Sequence, residues 1–262
     1  IGTGIFVPTS EAAQKAGPGM MISFVIAAVV CALAALAYAE LAAMVPVSGS
    51  AYTYTYAVMG ELIAWVVGWA LILEYAVAAG AVAVGWSKYM NGLMNSVGMG
   101  LPEALRSGPY DGGSFNILAF VIVWLITGLL VIGTSKSAKV NAVLVAIKIV
   151  ALTAFIAIAV PAAQVQNFEP FLPTGMLGVY AASASIFFAY VGFDAVSTAA
   201  EETKNPQRNV PIGLIGSLAV CTIFYLLVGY GAVGAGGAQP LFGPDGIALE
   251  TGSAEFIAAC KG

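Results

Sequence analysis

Six long apolar runs constrain the fold of this chain more than any other feature of its sequence. Each is long enough to cross the ~30 Å hydrocarbon core of a bilayer as a helix, which takes roughly 20 residues. Charged residues make up only 8% of the chain, whereas soluble domains contain about 25%, so a water-soluble fold is excluded. The sequence therefore predicts an all-α, polytopic helix bundle, integral to a lipid bilayer. The predicted spans are residues 19–44, 58–86, 115–133, 141–163, 176–198 and 211–235.

The opening residues 1–8 are also apolar, but they lack a charged flank and the pattern of a signal peptide. We interpret them as the second half of a further span. The chain is thus expected to be one transmembrane domain fragment over residues 1–262, holding about half of span one through span seven.

The short loops predict the orientation of these spans. Loops 45–57, 134–140 and 199–211 alternate with longer loops that carry few basic residues near the spans. Because Lys and Arg close to a span favour the cytoplasmic side, these three loops are expected to face the cytoplasm. Their basic residues are Lys136, Lys139, Lys204 and Arg208.

The absence of histidine narrows the chemistry that this chain can perform. Proton transfer must use carboxylates or lysine, and no nucleophile with a matching base or cluster of metal ligands is evident. A membrane-embedded enzyme is therefore disfavoured, and so is a channel, because no filter motif is present. No cofactor is expected, no basic run indicates nucleic acid, and nothing identifies a protein partner.

Two apolar segments are interrupted by glycine. The first contains Gly2 and Gly4, and the second is residues 189–194 around Gly192. Glycine costs about 1 kcal/mol relative to alanine inside a helix, so such places unwind easily. Within a membrane, unwound backbone is tolerated where it lines a cavity or binds a ligand. Free N–H groups suit a carboxylate and free C=O groups suit an ammonium, although the glycines can also serve only close helix packing.

The separation of the two interruptions favours binding over packing. They fall in spans one and six, as expected for a five-plus-five inverted repeat whose first helices are both broken. The first repeat would occupy about residues 1–163, and the second would begin at about 176–235. Since alternating access needs two repeats, residues 1–262 alone are expected to transport nothing.

Several motifs resemble the amino acid/polyamine/organocation (APC) superfamily, and most closely the bacterial relatives of the cationic amino acid transporters. This resemblance implies the leucine-transporter-type inverted-repeat fold with 12 to 14 spans, in a bacterial cytoplasmic membrane. The motifs are Gly2-Thr3-Gly4-Ile5-Phe6, Ala16-Gly17-Pro18-Gly19, Gly49-Ser50-Ala51-Tyr52, Phe187-Phe188-Ala189-Tyr190-Val191-Gly192-Phe193-Asp194, and Glu201-Glu202-Thr203-Lys204-Asn205-Pro206 with the residues up to Pro211.

The resemblance also implies a substrate site. Backbone amides within the segment Gly2, Thr3 and Gly4 would hold the carboxylate of an amino acid. Its ammonium would meet backbone carbonyls at the end of span six, with Phe188 as an aromatic gate. The alternative for Phe188 is a purely structural role, in which its ring packs against lipid or the core. The backbone carbonyls expected to accept from the ammonium are those of Phe188, Ala189 and Val191, with that of Ile1 as a weaker candidate.

Two carboxylates within spans are further candidates, because an ionisable group at a helix centre costs about 2.5–3.5 kcal/mol and usually has a function. Glu74 is expected to face the bundle interior as a cavity or selectivity residue, or to tie two helices together. Asp194 follows the Gly192 interruption. It would either line the cavity below the substrate or cap the second half of span six.

Lys148 is the candidate for proton coupling. It lies about seven residues into its predicted span, roughly 10 Å along the helix, where a lysine can also snorkel to the surface. Apolar surroundings disfavour its charged form, which would allow proton exchange. The resemblance implies that a fifth-span lysine lies beside the unwound first span in proton-coupled members.

The sequence thus favours a secondary active transporter whose partners are an amino acid substrate and a coupling proton. The alternative is an amino acid exchanger without obligatory proton coupling.

Overall fold

The computed structural model describes residues 3–109, 112–132, 134–244, 246, 248–249 and 253–259. Regular secondary structure within these residues is helical, and one isolated antiparallel bridge joins Phe242 to Ala248. The predicted all-α class is therefore confirmed. The α-helices are α1 (Thr3–Ala16), α2 (Met20–Met44), α3 (Ala51–Met59), α4 (Glu61–Ser96), α5 (Glu103–Arg106), α6 (Ile117–Ile132), α7 (Thr134–Ala159), α8 (Gly175–Tyr190), α9 (Pro206–Gly236) and α10 (Ala254–Ala259). Three 3₁₀ turns cover Gly17–Gly19, Val165–Phe168 and Asp194–Glu202.

Among the described residues, five helical segments are long and apolar enough to cross a membrane, and α6 is a shorter apolar helix of 16 residues. This is the pattern of a polytopic membrane bundle, as the sequence predicts. The five segments are Pro8–Met44, Glu61–Ser96, Val140–Ala159, Gly175–Thr198 and Pro206–Gly236.

The segment Pro8–Met44 contains a change of direction. A straight helix of its 37 residues would be about 55 Å long, well beyond the hydrocarbon core. The chain avoids this length at the 3₁₀ turn Gly17–Gly19, where Gly17 has φ +57°, a conformation that glycine adopts without strain. The structure therefore separates α1 from α2, as the sequence predicts for its opening segment and residues 19–44.

Helix boundaries differ from the predicted spans because apolar runs mark the membrane core and not the helix ends. The span predicted at residues 58–86 is α4, which continues to Ser96. The span predicted at 141–163 is α7, which begins at Thr134 and ends at Ala159. In both cases polar residues extend or begin the helix outside its apolar part.

Residues 1–67 and 150–262 form one structural unit, whose core lies between α1, α2, α8 and α9. The largest fully buried side chains in this unit are Tyr225, Phe24, Ile5, Met20, Ile186 and Leu214. Small residues on α2 let these helices approach closely, since Ala27, Cys31 and Ala35 are buried in the same core.

Residues 68–149 form a second unit that contains most of α4, together with α5, α6 and the first part of α7. Buried polar side chains hold it together. The amide of Asn116 donates to the hydroxyl of Ser87 at 2.7 Å, and the amide of Asn91 donates to the carbonyl oxygen of Arg106 at 3.3 Å.

Close packing at the end of α9 gives a first prediction. A Cβ atom added at Gly234 would lie 2.9 Å from the Cα atom of Ala163, a contact that requires the backbone to shift. We expect Gly234→Ala to destabilise the protein by about 1–3 kcal/mol, as overpacking does elsewhere. Thermal unfolding of the complete protein in detergent measures this effect. Gly216→Ala on the same helix is the matched control, because its Cβ meets no atom within 4 Å. Equal unfolding midpoints for the two variants would contradict the packing described.

Candidate functional site

Helix α8 stops in the middle of an apolar segment. It ends at Tyr190, Val191 turns to φ −54° and ψ 138°, and Gly192 has φ +105°, before a 3₁₀ turn begins at Asp194. The irregular backbone predicted around residues 189–194 is therefore confirmed. Because the last four carbonyls of a helix lack intrahelical donors, those at the end of α8 are free to accept other hydrogen bonds.

The matching expectation for the first segment is wrong in the residues that the structure describes. Thr3, Gly4 and Ile5 form the first turn of α1 and are helical. Gly4 lies in the first turn of the helix, where the backbone N–H groups make no intrahelical bonds. The low helix propensity of glycine therefore matters less there. Ile1 and Gly2, the other two residues of the predicted segment, lie outside the described residues.

The first turn of α1 and the last turn of α8 touch through their backbones. A Cβ atom built on Gly4 would lie 3.1 Å from the carbonyl oxygen of Ala189 and 3.2 Å from its Cα atom. Only glycine, which has no Cβ atom, allows this approach without a steric clash. The structure thus brings together two residues that the sequence assigns to one site.

Tyr225 of α9 completes this contact and was not identified from the sequence. Its hydroxyl donates to the carbonyl oxygen of Ala189 at 3.0 Å, and its side chain is only 1% exposed. A carbonyl oxygen has two lone pairs, so that of Ala189 can still accept a second donor. A tyrosine inside an apolar run was the available signal, since its hydroxyl needs a partner within the membrane.

Aromatic rings pack against the Tyr225 ring. The rings of Tyr190 and Tyr225 pack edge to face with centroids 5.2 Å apart, and Phe24 lies 5.9 Å from Tyr225. The hydroxyl of Tyr190 donates to the carbonyl oxygen of Phe24 at 3.4 Å. This cluster fixes the end of α8 against α2 and α9.

The remaining predicted residues of this segment differ in exposure. The ring of Phe188 is 44% exposed, so it is not part of the packed core of its unit. Val191 is half-buried beside the end of α8. The exposure of Phe188 agrees with both expectations, an aromatic gate and packing against lipid, so its gate role stays a prediction.

Asp194 lies just beyond the interruption and is 6% exposed. It is the first residue of the 3₁₀ turn, whereas the N-cap position belongs to Phe193, so the N-cap role considered for Asp194 is not the one observed.

Tyr38 packs its ring against both Phe193 and Tyr54. Burial raises the pKa of the Tyr54 phenol, and the nearby Ser197 hydroxyl acts in the opposite direction. The Tyr54 phenol therefore stays protonated in this buried polar region.

Glu74 and Lys148 both belong to the second unit, and both are exposed there. Lys148 lies eight residues beyond Val140, where the apolar part of α7 begins, or roughly 12 Å along the helix. This depth is close to the 10 Å expected from the sequence.

A polar network joins α1 to α8 further along the two helices. The ammonium of Lys15 lies 2.6 Å from the carboxylate of Glu11 and 2.7 Å from the hydroxyl of Ser185, which itself donates to Glu11 at 3.0 Å. The hydroxyl of Thr174 donates to the carbonyl oxygen of Lys15 at 2.7 Å. Glu11 and Lys15 form an i,i+4 pair that is about 40% exposed, and Ser185 makes this pair a link between the two helices.

A partly open cavity of about 290 Å³ lies beside α1, next to its contact with α8 at Gly4. Its walls come from α1, α2, α7 and α9 and are mainly apolar. The residues that line it include Ile5, Thr9, Ala13, Met20, Val228 and Ala238. Ile5 follows Gly4 in sequence, so one end of the cavity borders the contact between α1 and α8.

Several apolar helices of membrane-crossing length, one of them broken in mid-segment, define a polytopic membrane protein. Comparison with known proteins identifies its family. The profile of the amino acid permease family matches residues 1–237. The chain therefore belongs to the amino acid permeases of the APC superfamily, which are transporters and not enzymes.

Individual relatives carry different substrate names. The chain is 53% identical over 232 residues to the branched-chain amino acid permease BcaP of Bacillus subtilis (strain 168), an alignment that covers 87% of this chain and 50% of that protein. It is 48% identical over 231 residues to the methylthioribose transporter of the same organism, with coverage of 87% and 50%. It is 40% identical over 233 residues to cationic amino acid transporter 9, chloroplastic, of Arabidopsis thaliana, with coverage of 86% and 41%. The chain spans about half the length of the curated relatives it matches.

The hydrogen bond from Tyr225 gives a second prediction. Tyr225→Phe removes the donor and leaves the buried carbonyl of Ala189 without that partner, which costs about 1–3 kcal/mol. Tyr190→Phe is the matched control, because its hydroxyl bond of 3.4 Å is long and weaker. Thermal unfolding of the complete protein should show the larger loss for Tyr225→Phe. An equal or larger loss for Tyr190→Phe would contradict the assigned importance of the Ala189 contact.

Proposed function

We propose that this chain is part of a secondary active transporter that carries an amino acid across a membrane. The observation that carries the proposal is the backbone contact between Gly4 and Ala189 at the broken end of α8. Membership of the amino acid permease family supports it. The helical segments of membrane-crossing length support a multi-pass location, which we propose to be a bacterial cytoplasmic membrane.

The proposed site recognises the two ends that all α-amino acids share. Backbone amides at Gly2, Thr3 and Gly4, at the start of α1, would donate to the carboxylate, and the carbonyl of Ile1 is a weaker candidate acceptor for the ammonium. The positive end of the helix dipole favours the same negative charge. The ammonium would donate to carbonyls at the end of α8, from Phe188, Ala189 and Val191.

Tyr225 refines the role of the Ala189 carbonyl. Because its hydroxyl already occupies one lone pair, the ammonium would take the second. The tyrosine then holds the carbonyl in a fixed direction before the substrate arrives. The exposed ring of Phe188 would cover the bound amino acid.

The fold proposed for the complete protein is the leucine-transporter-type inverted repeat. Residues 1–163 would supply the first repeat and residues 176–235 the start of the second. Transport would proceed by rocking one bundle against the other around the two helices that meet at Gly4 and Ala189.

Coupling to a proton is the proposed driving force, and Lys148 is its proposed carrier. A lysine inside an apolar segment is costly, and the chain has no histidine to take its place. Glu74, in the second unit, and the buried Asp194, in the first, are each proposed as a cavity or selectivity residue of the complete transporter. Exchange of amino acids without a proton is the alternative mechanism.

The similarity to a methylthioribose transporter raises a second substrate class, which can be tested against amino acids. Methylthioribose is a sugar that has neither an ammonium nor a carboxylate. The proposed site uses backbone amides to bind a carboxylate and backbone carbonyls to bind an ammonium, and methylthioribose offers neither group. Competition between radiolabelled leucine and either unlabelled amino acids or methylthioribose distinguishes the two, and only the amino acids should compete.

The contact at Gly4 gives a direct test of the proposed site. In Gly4→Ala the added methyl group would press on the carbonyl of Ala189 at 3.1 Å, so we expect amino acid binding to weaken about tenfold or more, a change of about 1.4 kcal/mol. Equilibrium binding to the complete protein in detergent measures it. Gly213→Ala is the control, because its Cβ would make an ordinary 3.7 Å contact with Val196. Unchanged affinity in Gly4→Ala would place the substrate elsewhere.

The coupling role predicts a separate effect for Lys148→Ala. We expect proton-driven accumulation to be abolished while substrate binding is largely retained, since losing a proton-dependent contact removes the bias between two states. The measurement is uptake against pH in proteoliposomes at matched protein levels. Lys88→Ala, which removes a lysine from α4 in the same unit, should leave the profile unchanged. A snorkelling Lys148 would affect insertion only, so an unaltered pH profile for Lys148→Ala would rule out the coupling role.

A further inference from the structure

Gln14 is a buried polar residue of α1 that the proposed transport site does not use. Its side chain is 6% exposed. Its amide nitrogen donates to the carbonyl oxygen of Leu241 at 2.7 Å and to that of Leu249 at 3.0 Å. Its amide oxygen accepts from the backbone N–H of Leu241 at 3.0 Å. Both functional ends of this one side chain are therefore bonded to backbone more than 200 positions away in sequence.

The segment that Gln14 holds is a short folded-back stretch after α9. We call residues 241–249 the strap, of which 241–244, 246, 248 and 249 are described. The N–H of Leu249 donates to the carbonyl oxygen of Leu241 at 2.8 Å, and Phe242 pairs with Ala248 in an antiparallel bridge. Gln14 bonds to both ends of this pairing, so it fixes the strap at its base.

The strap leaves the helix bundle beside the cavity. Gly237 and Ala238, which lead from α9 towards the strap, line the cavity, and so do Ser10 and Ala13 of α1. Gln14 follows Ala13 and lies one turn beyond Ser10, on the same side of the helix. The attachment of the strap and the wall of the cavity are thus neighbouring turns of α1.

We propose that Gln14 is a latch that holds the strap on α1, and that the strap in this position shields the adjoining end of the cavity from water. Releasing the latch would remove the Gln14 side chain as partner of the Leu241 N–H and of the Leu241 and Leu249 carbonyls, although the Leu241 carbonyl keeps the Leu249 N–H. Water would have to replace the lost partner, so the strap would move outward together with its hydrogen-bonding groups. The latch is a positioning residue. Its role does not depend on which substrate the transporter carries.

The chain offers a matched control in Gln239, two residues before the strap. Its amide also donates to backbone carbonyls, of Glu169 at 3.1 Å and Pro170 at 3.3 Å, but it is exposed and does not touch α1 through these bonds. Removing it takes away a similar side chain with bonds to a different segment. It should therefore leave the latch intact.

Hydrogen–deuterium exchange of the complete transporter tests the latch. We expect backbone amides in the peptide that spans the strap to exchange at least about tenfold faster in Gln14→Leu than in the unmodified protein, because three hydrogen bonds are lost together. Gln14→Glu has nearly the same shape and keeps an acceptor for the Leu241 N–H, but it places a carboxylate oxygen against two carbonyls. It should release the strap as well, and it decides the outcome if Gln14→Leu does not fold. Gln239→Leu should change exchange by no more than about twofold, and peptides of α2 and α9 should keep their protection.

Shielding of the cavity needs a separate measurement. A reporter cysteine at Ala13, in a protein whose Cys31, Cys221 and Cys260 are replaced by alanine, should react faster with a charged maleimide when Gln14→Glu is added. Unchanged strap exchange in both Gln14 variants, or equal acceleration in Gln239→Leu, would overturn the latch. Faster strap exchange with unchanged labelling at position 13 would overturn the shielding.

Discussion

The contact on which the rest of this structure depends is the close approach of two backbones, at Gly4 of α1 and Ala189 of α8. A helix that ends inside an apolar segment exposes carbonyl groups where water cannot satisfy them. Here the Tyr225 hydroxyl satisfies the Ala189 carbonyl, and the absence of a side chain at Gly4 lets α1 approach it. The interrupted helix is therefore compatible with a membrane interior only because α1 and α9 are positioned against it.

That dependence explains how the surrounding elements are arranged. The same two helices are joined further along by Ser185, Glu11 and Lys15, and Thr174 bonds to the carbonyl of Lys15. The 3₁₀ turn Gly17–Gly19 then redirects the chain into α2, which packs against both α8 and α9. The proposed site, built from backbone groups, would recognise the two ends of an amino acid and not its side chain. This is physically consistent with relatives that are named for branched-chain and for cationic amino acids.

The spans and the break in α8 could be predicted from the sequence because both follow from local composition. Apolar runs of sufficient length locate the helices, and Gly192 permits the φ of +105° at which α8 stops continuing. The irregular start expected for α1 was wrong, because glycine in the first turn of a helix removes few hydrogen bonds. Tyr225 and Gln14 could not be assigned partners from the sequence, since each bonds to backbone that only the tertiary fold brings near.

The central claim is that an amino acid binds beside the contact between the first turn of α1 and the end of α8. Its most direct test is an experimental structure of the complete transporter with a bound amino acid, such as leucine. The account predicts that the ammonium nitrogen lies about 3 Å from carbonyl oxygens among Phe188, Ala189 and Val191, and that the carboxylate meets the amides of Thr3 and Gly4. An amino acid bound away from both helix ends, with the Gly4 contact undisturbed, would contradict it.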